Sequence, residues 1–308
     1  MAEVSADRSL RALLKQGIGL LRDANVSSYT LAAELLLLHV VGCDRTWIYS
    51  HPEAEVSESD AAAYLQLIAR RTKGEPTQHL TGKQEFWGLE FSVSPDVLIP
   101  RPETEHLIEV ALDRLAVREI RAGRPPRLTG ENITIADIGT GSGCIAITLA
   151  KELPGATIYA ADISPAALRI ARQNAERLGF AERIHFVESN LFSGFLSLPA
   201  RHSPFSFDLI VSNPPYVSRR DASSLSIEVR GHEPELALYG GEEGYEFYAE
   251  LISLAAKHLN PTGLLVLELG YDSLSTVQPL LDPGKWTNIG VTNDLAGIPR
   301  VLSAERLP

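Results

Sequence analysis

Residues 132–143 read NITIADIGTGSG, and this stretch decides the fold class. Its apolar and β-branched first half predicts a buried strand over residues 132–137, and the apolar run at 144–152 predicts a helix. A strand, a glycine turn and a helix in this order let the backbone closely approach a bound nucleotide. The glycines at 139, 141 and 143 therefore favour a ligand-binding loop, with a tight turn that binds nothing as the alternative.

Strands and helices alternate along the chain beyond this loop. Such alternation predicts an α/β fold in which helices cover both faces of a mainly parallel sheet. The expected strands lie at 157–161, 184–187, 207–211 and 264–269, with two weaker edge strands within 287–301, and the expected helices lie at 165–178 and 245–258.

The N-terminal pattern is helical. Apolar residues recur at spacings of three and four from Leu10 to Leu21, as on one face of a helix. Two further helices are expected at 31–41 and 57–71, so residues 5–73 predict a small helical bundle.

A β-hairpin is expected between the bundle and the α/β region. Aromatic and β-branched residues surround Gly88 within 78–99, and the prolines of 100–102 end this segment. A helix at 103–120 and a polar Pro/Gly loop at 122–131 follow. We therefore expect three parts: a helical domain at 1–75, a hairpin linker at 76–102 and the α/β domain at 103–308.

Composition restricts the classes of function. The net charge of −11 provides no general attraction to phosphate backbones and so disfavours nucleic-acid binding. Cys43 and Cys144 form no disulfide framework, and no Cys/His group has zinc spacing, so no metal is expected. The N-terminus lacks the apolar core of a signal peptide, and the apolar run at 31–43 is too short to span a bilayer. We expect a cytoplasmic protein without membrane contact.

Asp162 ends the second predicted strand, about 20 residues beyond the glycine loop. A carboxylate at this position can accept hydrogen bonds from both hydroxyls of a ribose. It can also cap the helix that begins at Pro165, as can Ser164, and the two roles are compatible. Together with the loop, Asp162 predicts an adenosine-type ligand. The loop reads GxGxG and lacks the third-glycine spacing of the dinucleotide fingerprint, which leaves NAD and S-adenosylmethionine as competing ligands.

Asn213-Pro214-Pro215-Tyr216 follows the strand at 207–211 directly. Sites in open α/β sheets lie at the carboxyl ends of strands, so this tetrapeptide is expected beside the glycine loop. A conjugated amide or amine nitrogen is a poor nucleophile, and a site for it must hold its N–H groups with fixed acceptors. Asn213 offers a side-chain carbonyl, Pro214 a backbone carbonyl, the two prolines stiffness, and Tyr216 a flat face. A plain turn is the alternative interpretation.

Three segments of the chain together resemble the peptide-chain release factor glutamine methyltransferases, the HemK/PrmC family. The resemblance covers nearly the whole chain. The segments are EFWGL at 85–89 with LIPRPETE at 98–105, the glycine loop at 137–143 with Asp162, and SNPPY at 212–216 with Glu233-Pro234.

The resemblance implies a class I, Rossmann-like methyltransferase domain that uses S-adenosylmethionine. It also implies methyl transfer to the glutamine side chain in the Gly-Gly-Gln motif of class-1 release factors. The helical domain is then expected to contact the release factor, and the protein is expected to be a monomer.

The resemblance also assigns roles to individual residues. Asn213, Pro214, Pro215 and Tyr216 are expected to bind the substrate amide, with Asn213, Pro214 and Tyr216 as the catalytic set. Asn190-Leu191-Phe192 stands where the family usually has Asp-x-Phe near the adenine, and an Asn oxygen can still accept from the adenine amino group. The residues expected to bind the cofactor are Gly139, Thr140, Gly141, Ser142, Gly143, Asp162, Asn190, Leu191 and Asn213.

Three alternatives stay open from the sequence. A related enzyme methylates a glutamine of a ribosomal protein, but it has a Pro-Arg-Ser-Pro type segment where this chain has PRPETE at 100–105. Asn-Pro-Pro-Tyr also occurs in adenine-N6 methyltransferases, which the acidic charge disfavours. A non-catalytic scaffold that binds cofactor and partner is the third alternative, and the intact Asn213 disfavours it.

Overall fold

A computed structural model describes residues 7–121, 123, 133–197 and 206–308. Most of the polar loop expected at 122–131 lies outside the described residues, where only Gly123 is placed, in a turn. The chain divides into two compact units. The first contains the residues up to Lys83 together with Ser226–His232, and the second contains Gln84–Leu225 and Glu233–Pro308.

The first unit is helical, as predicted. Ser9 and Ser57 cap the first and fourth helices by accepting from the backbone N–H groups of Ala12 and Asp60. The leucine faces of these helices meet in one buried core. The helices of this unit are α1 Leu10–Asp23, α2 Tyr29–Val41, α3 Arg45–Ser50, α4 Glu58–Arg71, α5 Thr77–Thr81 and α9 Ile227–His232.

The helix α9 comes from a distant part of the sequence. The buried Arg71 side chain reaches it and donates from Nη2 to Glu228 Oε1 over 2.6 Å. Because the guanidinium is almost fully removed from water, loss of the Glu228 carboxylate would leave a buried charge without a counterion.

The second unit begins with a hairpin and contains the large sheet. Its strands are β1 Lys83–Phe86, whose first residue belongs to the first unit, β2 Leu89–Ser92, β3 Thr134–Ile138, β4 Thr157–Asp162, β5 Ile184–Glu188, β6 Phe207–Ser212, β7 Val217–Ser218, β8 Tyr239–Gly241, β9 Leu259–Glu268, β10 Trp286–Asn293 and β11 Pro299–Arg306. Its helices are α6 Glu105–Arg121, which follows a 3₁₀ turn at Pro102–Thr104, α7 Cys144–Glu152, α8 Pro165–Leu178, α10 Glu235–Leu238, α11 Glu246–His258 and α12 Leu274–Val277.

The β1–β2 hairpin turns at Trp87 and Gly88, which both have positive φ. The Glu105 carboxylate accepts from the Trp87 backbone N–H over 2.7 Å and thereby ties the turn to α6. The hairpin was expected to begin near residue 78, but Thr77–Thr81 forms the helix α5. Pro76 starts this helix, and Gly82, in the left-handed conformation, ends it before the strand begins.

The seven-stranded sheet has the order β10-β11-β9-β6-β3-β4-β5. β3, β4, β5, β6 and β9 run parallel, and β11 is antiparallel to both of its neighbours. The expectation of two edge strands at the end of the chain is therefore wrong in part. β10 is an edge, but β11 inserts between β9 and β10. Its residues 301–304 are all buried, so this strand needs cover on both faces.

Hydrophobic residues fill both faces of the sheet, and this confirms the predicted α/β class. One core cluster gathers side chains of α6 and α7, and the other gathers side chains of α11 and the 191–195 segment. The parallel strands read as nearly continuous apolar runs because both of their faces are covered. No helix in the described part of the chain has the length and apolar character needed to cross a membrane.

Candidate active site

The carboxyl ends of β3, β4 and β6 meet at one edge of the sheet, where the three predicted site segments follow them. Asp137 lies in β3 and is fully buried. Its Oδ2 accepts from the Thr140 hydroxyl over 2.6 Å and from the Ala146 backbone N–H over 3.1 Å. The side chain thus joins the strand, the glycine loop and the first turn of α7. Burial raises the pKa of this carboxyl to about 7, against the hydrogen bonds from Thr140 and Ala146 that lower it.

The three glycines of the loop differ in what surrounds them. All three have φ between +55° and +84°, a conformation that strains other residues. A Cβ at Gly139 or Gly141 would meet no atom within 4 Å and would point into open space. A Cβ at Gly143 would lie 3.1 Å from Ala171 on α8. The first two glycines therefore leave room for a ligand, and Gly143 permits close packing of the loop against a helix.

Asp162 ends β4 opposite this loop. Its Oδ2 accepts from the Gly141 backbone N–H over 2.9 Å, and its Oδ1 accepts from the Ser164 backbone N–H over 2.9 Å. Burial raises the pKa of the Asp162 carboxyl, and the backbone N–H groups of Ser164 and Gly141 oppose that rise. Ser164 itself caps α8 by accepting from Ala167. Asp162 thus positions the loop. Of the two residues that the sequence offered as caps of this helix, Asp162 and Ser164, the serine forms the cap.

A cavity of about 440 Å³ opens at this edge of the sheet, within the second unit. Most of the residues predicted to bind cofactor or substrate line it, and Gly143, Pro214 and Tyr216 do not. Those that line it are Gly139, Thr140, Gly141, Ser142, Asp162, Asn190, Leu191, Asn213 and Pro215.

Asn213 stands at the carboxyl end of β6, on the cavity wall. Its Nδ2 donates to Thr104 Oγ1 over 3.2 Å. Its Oδ1 is buried and accepts no hydrogen bond from the described residues. A buried carbonyl without a donor is costly, because its hydration is lost and nothing replaces it. No described residue satisfies this oxygen, and Asn213 lies on the cavity wall.

Pro214 and Tyr216 lie behind the cavity wall. Pro214 is buried, and the ring of Tyr216 packs against the chain at Gly270, where an added Cβ would come within 2.7 Å of Tyr216 Cδ2. Burial is the largest cause that raises the pKa of the Tyr216 phenol to about 12, so this group is protonated at neutral pH. Contact of the tyrosine face with a substrate amide stays a prediction.

Asn190 and Leu191 line the cavity after β5. Leu191 has a φ of +50°, and its carbonyl accepts from the buried Ser189 hydroxyl over 2.7 Å. This tight turn directs residues 190–191 toward the cavity, while Phe192 is buried in the core. Among the described residues, no group of three or more His, Cys, Asp and Glu side chains is arranged to hold a metal ion.

The cavity wall also contains residues to which the sequence assigned no role in the site. Asp96, Leu98, Pro100, Arg101 and Thr104 form one side of it. They come from the connection between the hairpin and α6, whose PRPETE stretch supported the family resemblance but predicted only a loop and a helix start. That conspicuous stretch was the signal available in the sequence.

Arg101 joins this connection to the segment that follows α9. Its Nη2 donates to both carboxylate oxygens of Glu233, over 2.6 and 2.7 Å. The Glu233 side chain is almost fully buried, so the pair is a charge-assisted contact inside the structure. Pro234 and Leu236, which also line the cavity, follow Glu233 directly, and the ion pair therefore holds two sides of the cavity together.

Family models match two parts of the chain. The model of the PrmC N-terminal domain matches residues 12–82, and that of the methyltransferase small domain matches residues 126–229. Among solved structures, a methyltransferase from Pyrococcus furiosus aligns with a TM-score of 0.50 at 19% identity, over 78% of this chain and 98% of that one. The hMettl16 catalytic domain aligns with a TM-score of 0.52 at 18% identity, over 82% and 85%. At these identities the structures support the fold alone.

Similar sequences extend over nearly the full length. A release factor glutamine methyltransferase of Koribacter versatilis is 45% identical over 92% of this chain and 93% of its own. One from Bradyrhizobium diazoefficiens is 41% identical over 99% and 95%. Identity of this extent covers the helical unit, the glycine loop and the Asn213 segment together. The chain belongs to the family of release factor glutamine methyltransferases.

Proposed function

We propose that this protein transfers a methyl group from S-adenosylmethionine to the side-chain amide nitrogen of the glutamine in the Gly-Gly-Gln motif of class-1 release factors. Membership of the family supports the reaction. The geometry supports a planar amide nitrogen as the methyl acceptor. Such a nitrogen is still protonated when it binds, so its N–H groups can donate to fixed acceptors of the site.

The unpartnered Oδ1 of Asn213 is the observation that carries this proposal. A carboxamide nitrogen is not deprotonated near neutral pH, so a base contributes little to its reactivity. A fixed acceptor instead orients the nitrogen by accepting one of its N–H groups, and orientation of this kind lowers barriers by about 7 kcal/mol or more. A second acceptor from the backbone carbonyl of Pro214, on a loop that two prolines stiffen, stays a prediction, because Pro214 does not line the cavity.

The residues at the cavity fit the cofactor. Asp162 offers a carboxylate for ribose hydroxyls, Gly139 and Gly141 leave open space at the loop, and Asn190 offers an amide for the adenine amino group. When bound, S-adenosylmethionine supplies a methyl group activated by a positively charged sulfur. Asn213 sits at the same cavity and would hold the acceptor nitrogen there.

The helical domain predicted at residues 1–75 would bind the release factor outside its Gly-Gly-Gln motif. Leu31 and Leu35 lie one helical turn apart on α2 and expose 49% and 39% of their surface. Trp47 and Tyr49 on the following helix, α3, are also exposed. Aromatic side chains such as these two are enriched in protein interfaces. The segment at 76–102, which contains the β1–β2 hairpin, would link this domain to the catalytic one, and a substrate that acts in translation supports a cytoplasmic location for a monomeric enzyme.

Incubation with methyl-labelled S-adenosylmethionine and a class-1 release factor tests the proposal. We expect label in the factor, and no label when the glutamine of its Gly-Gly-Gln motif is replaced. A ribosomal protein and adenine-containing DNA or RNA serve as competing substrates for the two alternative activities.

Absence of label in the release factor, or equal labelling after the glutamine is replaced, would overturn the proposal. Label in the ribosomal protein alone would assign the alternative glutamine substrate. Salt-sensitive labelling of nucleic acid would assign the adenine reaction, because phosphate contacts weaken as salt rises.

A further inference from the structure

Two buried side chains, Thr104 and Glu268, stand behind Asn213. Strands β6 and β9 are parallel neighbours in which Ser212 pairs with Leu267. The residues that follow this pair, Asn213 just beyond β6 and Glu268 at the end of β9, therefore lie side by side at this edge of the sheet. Thr104 reaches both of them from the 3₁₀ turn before α6. It accepts from Asn213 Nδ2 over 3.2 Å, and its hydroxyl lies close enough to lower the pKa of Glu268, whose Oε2 is buried and accepts no hydrogen bond from the described residues.

The chemistry of a hydroxyl makes this arrangement directional. A threonine hydroxyl has one hydrogen to donate and two lone pairs that accept. An ionised carboxylate only accepts, so Thr104 is the donor in a hydrogen bond with Glu268. Only lone pairs then remain for Asn213, and the asparagine must present its NH₂ group to them. Its carbonyl oxygen is left pointing away from Thr104.

We propose that Glu268, acting through Thr104, fixes the orientation of the Asn213 amide so that Oδ1 remains available to the substrate nitrogen. Glu268 and Thr104 are positioning residues in this scheme, and only Asn213 touches the substrate. The role assigned to Oδ1 rests on the proposed function, whereas the direction of the hydrogen bonds does not.

The scheme depends on the charge of Glu268. Burial raises its pKa to about 7, so the carboxyl changes its protonation state near neutral pH. A protonated carboxyl can donate to Thr104, and the freed hydroxyl hydrogen can then be accepted by Asn213 Oδ1 when the amide turns over, which removes Oδ1 from the cavity. The ionised form is thus the productive one, and turnover should fall as pH falls through about 7. The other charged or titratable groups around Glu268 are Arg300, Arg101, Glu103, Tyr216, Tyr248 and Cys144.

Three variants of the full chain test the proposal by kinetics with a release factor. Thr104→Val keeps the shape but removes the hydroxyl, and we expect kcat to fall about tenfold or more. Thr104→Ser keeps the hydroxyl and should restore most of that loss. Glu268→Gln should lower kcat similarly and abolish the pH dependence near 7. Affinity for S-adenosylmethionine, measured by calorimetry, should stay unchanged in all three.

Glu250→Gln is the matched control, because Glu250 is an exposed carboxylate on α11. It should retain both kcat and the pH profile of the natural protein. Unchanged kcat in Thr104→Val, or an unaltered pH profile in Glu268→Gln, would overturn the proposal. Thermal unfolding of each variant identifies losses that come from unfolding, and recovery in Thr104→Ser distinguishes the hydroxyl from packing.

A second measurement does not require methyl transfer. The side-chain ¹⁵N resonance of Asn213 is identified by its absence in Asn213→Ala. Its NH₂ hydrogens should exchange with water more slowly in the natural protein than in Thr104→Val. Equal exchange rates would refute the hydrogen-bond direction. If the natural protein labels no release factor, the proposed function fails, and this exchange measurement still decides whether Thr104 orients Asn213.

Discussion

The side of the cavity proposed to hold the cofactor and the side proposed to hold the substrate amide, here the cofactor side and the amide side, are built in different ways. On the cofactor side, backbone forms much of the wall: glycines with positive φ form the loop, and Asp162 holds it through the Gly141 N–H. On the amide side, three side chains from separate elements meet, namely Thr104, Asn213 and Glu268. The geometry of a site formed by backbone depends on the conformation of its loop. The geometry of a site formed by side chains depends on each of their functional groups.

This difference predicts a clean separation of effects, in which the cofactor side sets affinity for S-adenosylmethionine and the amide side sets turnover. The largest effect is expected for Asn213→Ala, which removes the free acceptor. We expect kcat to fall about 10³-fold, the range seen when a preorganised hydrogen-bonding group is deleted from an active site. Cofactor affinity, measured by calorimetry, should change little. Unchanged turnover would contradict the assigned role of Asn213 and remove the distinction between the two sides.

Asp162→Ala should affect the opposite quantity. It removes a carboxylate proposed to bind the ribose, the hydrogen bond from Gly141 that holds the loop, and the hydrogen bond from Ser164 at the start of α8. We expect the dissociation constant of S-adenosylmethionine to rise roughly 10- to 100-fold, in keeping with about 1–3 kcal/mol for hydrogen bonds to a charged group. At saturating cofactor, kcat should recover most of its original value. A large loss of kcat with unchanged affinity would reverse the comparison.

Gly143→Ala and Gly139→Ala separate packing from ligand space within the loop. Both substitutions strain a positive φ, but only the Cβ at 143 also meets Ala171 at 3.1 Å. We expect Gly143→Ala to lower the free energy of unfolding by about 1–3 kcal/mol in chemical denaturation. Gly139→Ala should be less destabilising and should weaken cofactor binding instead, because its Cβ enters open space. Equal losses of stability would show that strain alone governs both positions.

Asp137→Asn should change how stability depends on pH. The pKa of Asp137 is raised from 3.8 to about 7 by burial, so the folded state holds a proton that the unfolded state releases between these values. Stability from this group is therefore present at low pH and declines as pH rises from about 4 to 7. The slope is at most about 1.4 kcal/mol per pH unit.

Asparagine at 137 has no such proton to lose. As pH rises across this interval, the unfolding free energy of Asp137→Asn should therefore increase relative to that of the natural protein. Denaturant titration at each pH measures both values. Parallel pH profiles would show that the Asp137 carboxyl is not protonated in the folded state. The buried Glu268, whose pKa is also raised to about 7, gives both proteins a dependence of the same sign.

The same contrast explains how much could be predicted from the sequence. The parts of the cofactor side lie within 137–164, where strand, glycines, Asp162 and the next helix follow one another, so local patterns sufficed. Helices at 144–152 and 165–178 were predicted to the residue for the same reason. Asn213 was found because the short tetrapeptide that contains it has a distinctive composition.

Thr104 lies in the conspicuous PRPETE stretch, but nothing in the sequence links it or Glu268 to Asn213. Their proximity to Asn213 follows from the β6–β9 register and from the turn before α6. The position of β11 in the sheet could not be predicted either, because its sequence does not show whether it pairs with a strand on one side or on both sides. Pairings between distant segments were therefore the part that local reasoning could not supply.

The insertion of β11 has a consequence for the protein during its own synthesis. β9 and β10 are synthesised before β11. They do not pair with each other in the sheet, because β11 lies between them. Until residues 299–306 emerge, β9 presents an unpaired edge of the kind that joins other chains. Leu269 then donates to the Arg300 carbonyl, which anchors the segment just after Glu268. A nascent chain released before this strand would thus be prone to aggregate and would lack the support for its amide-binding side.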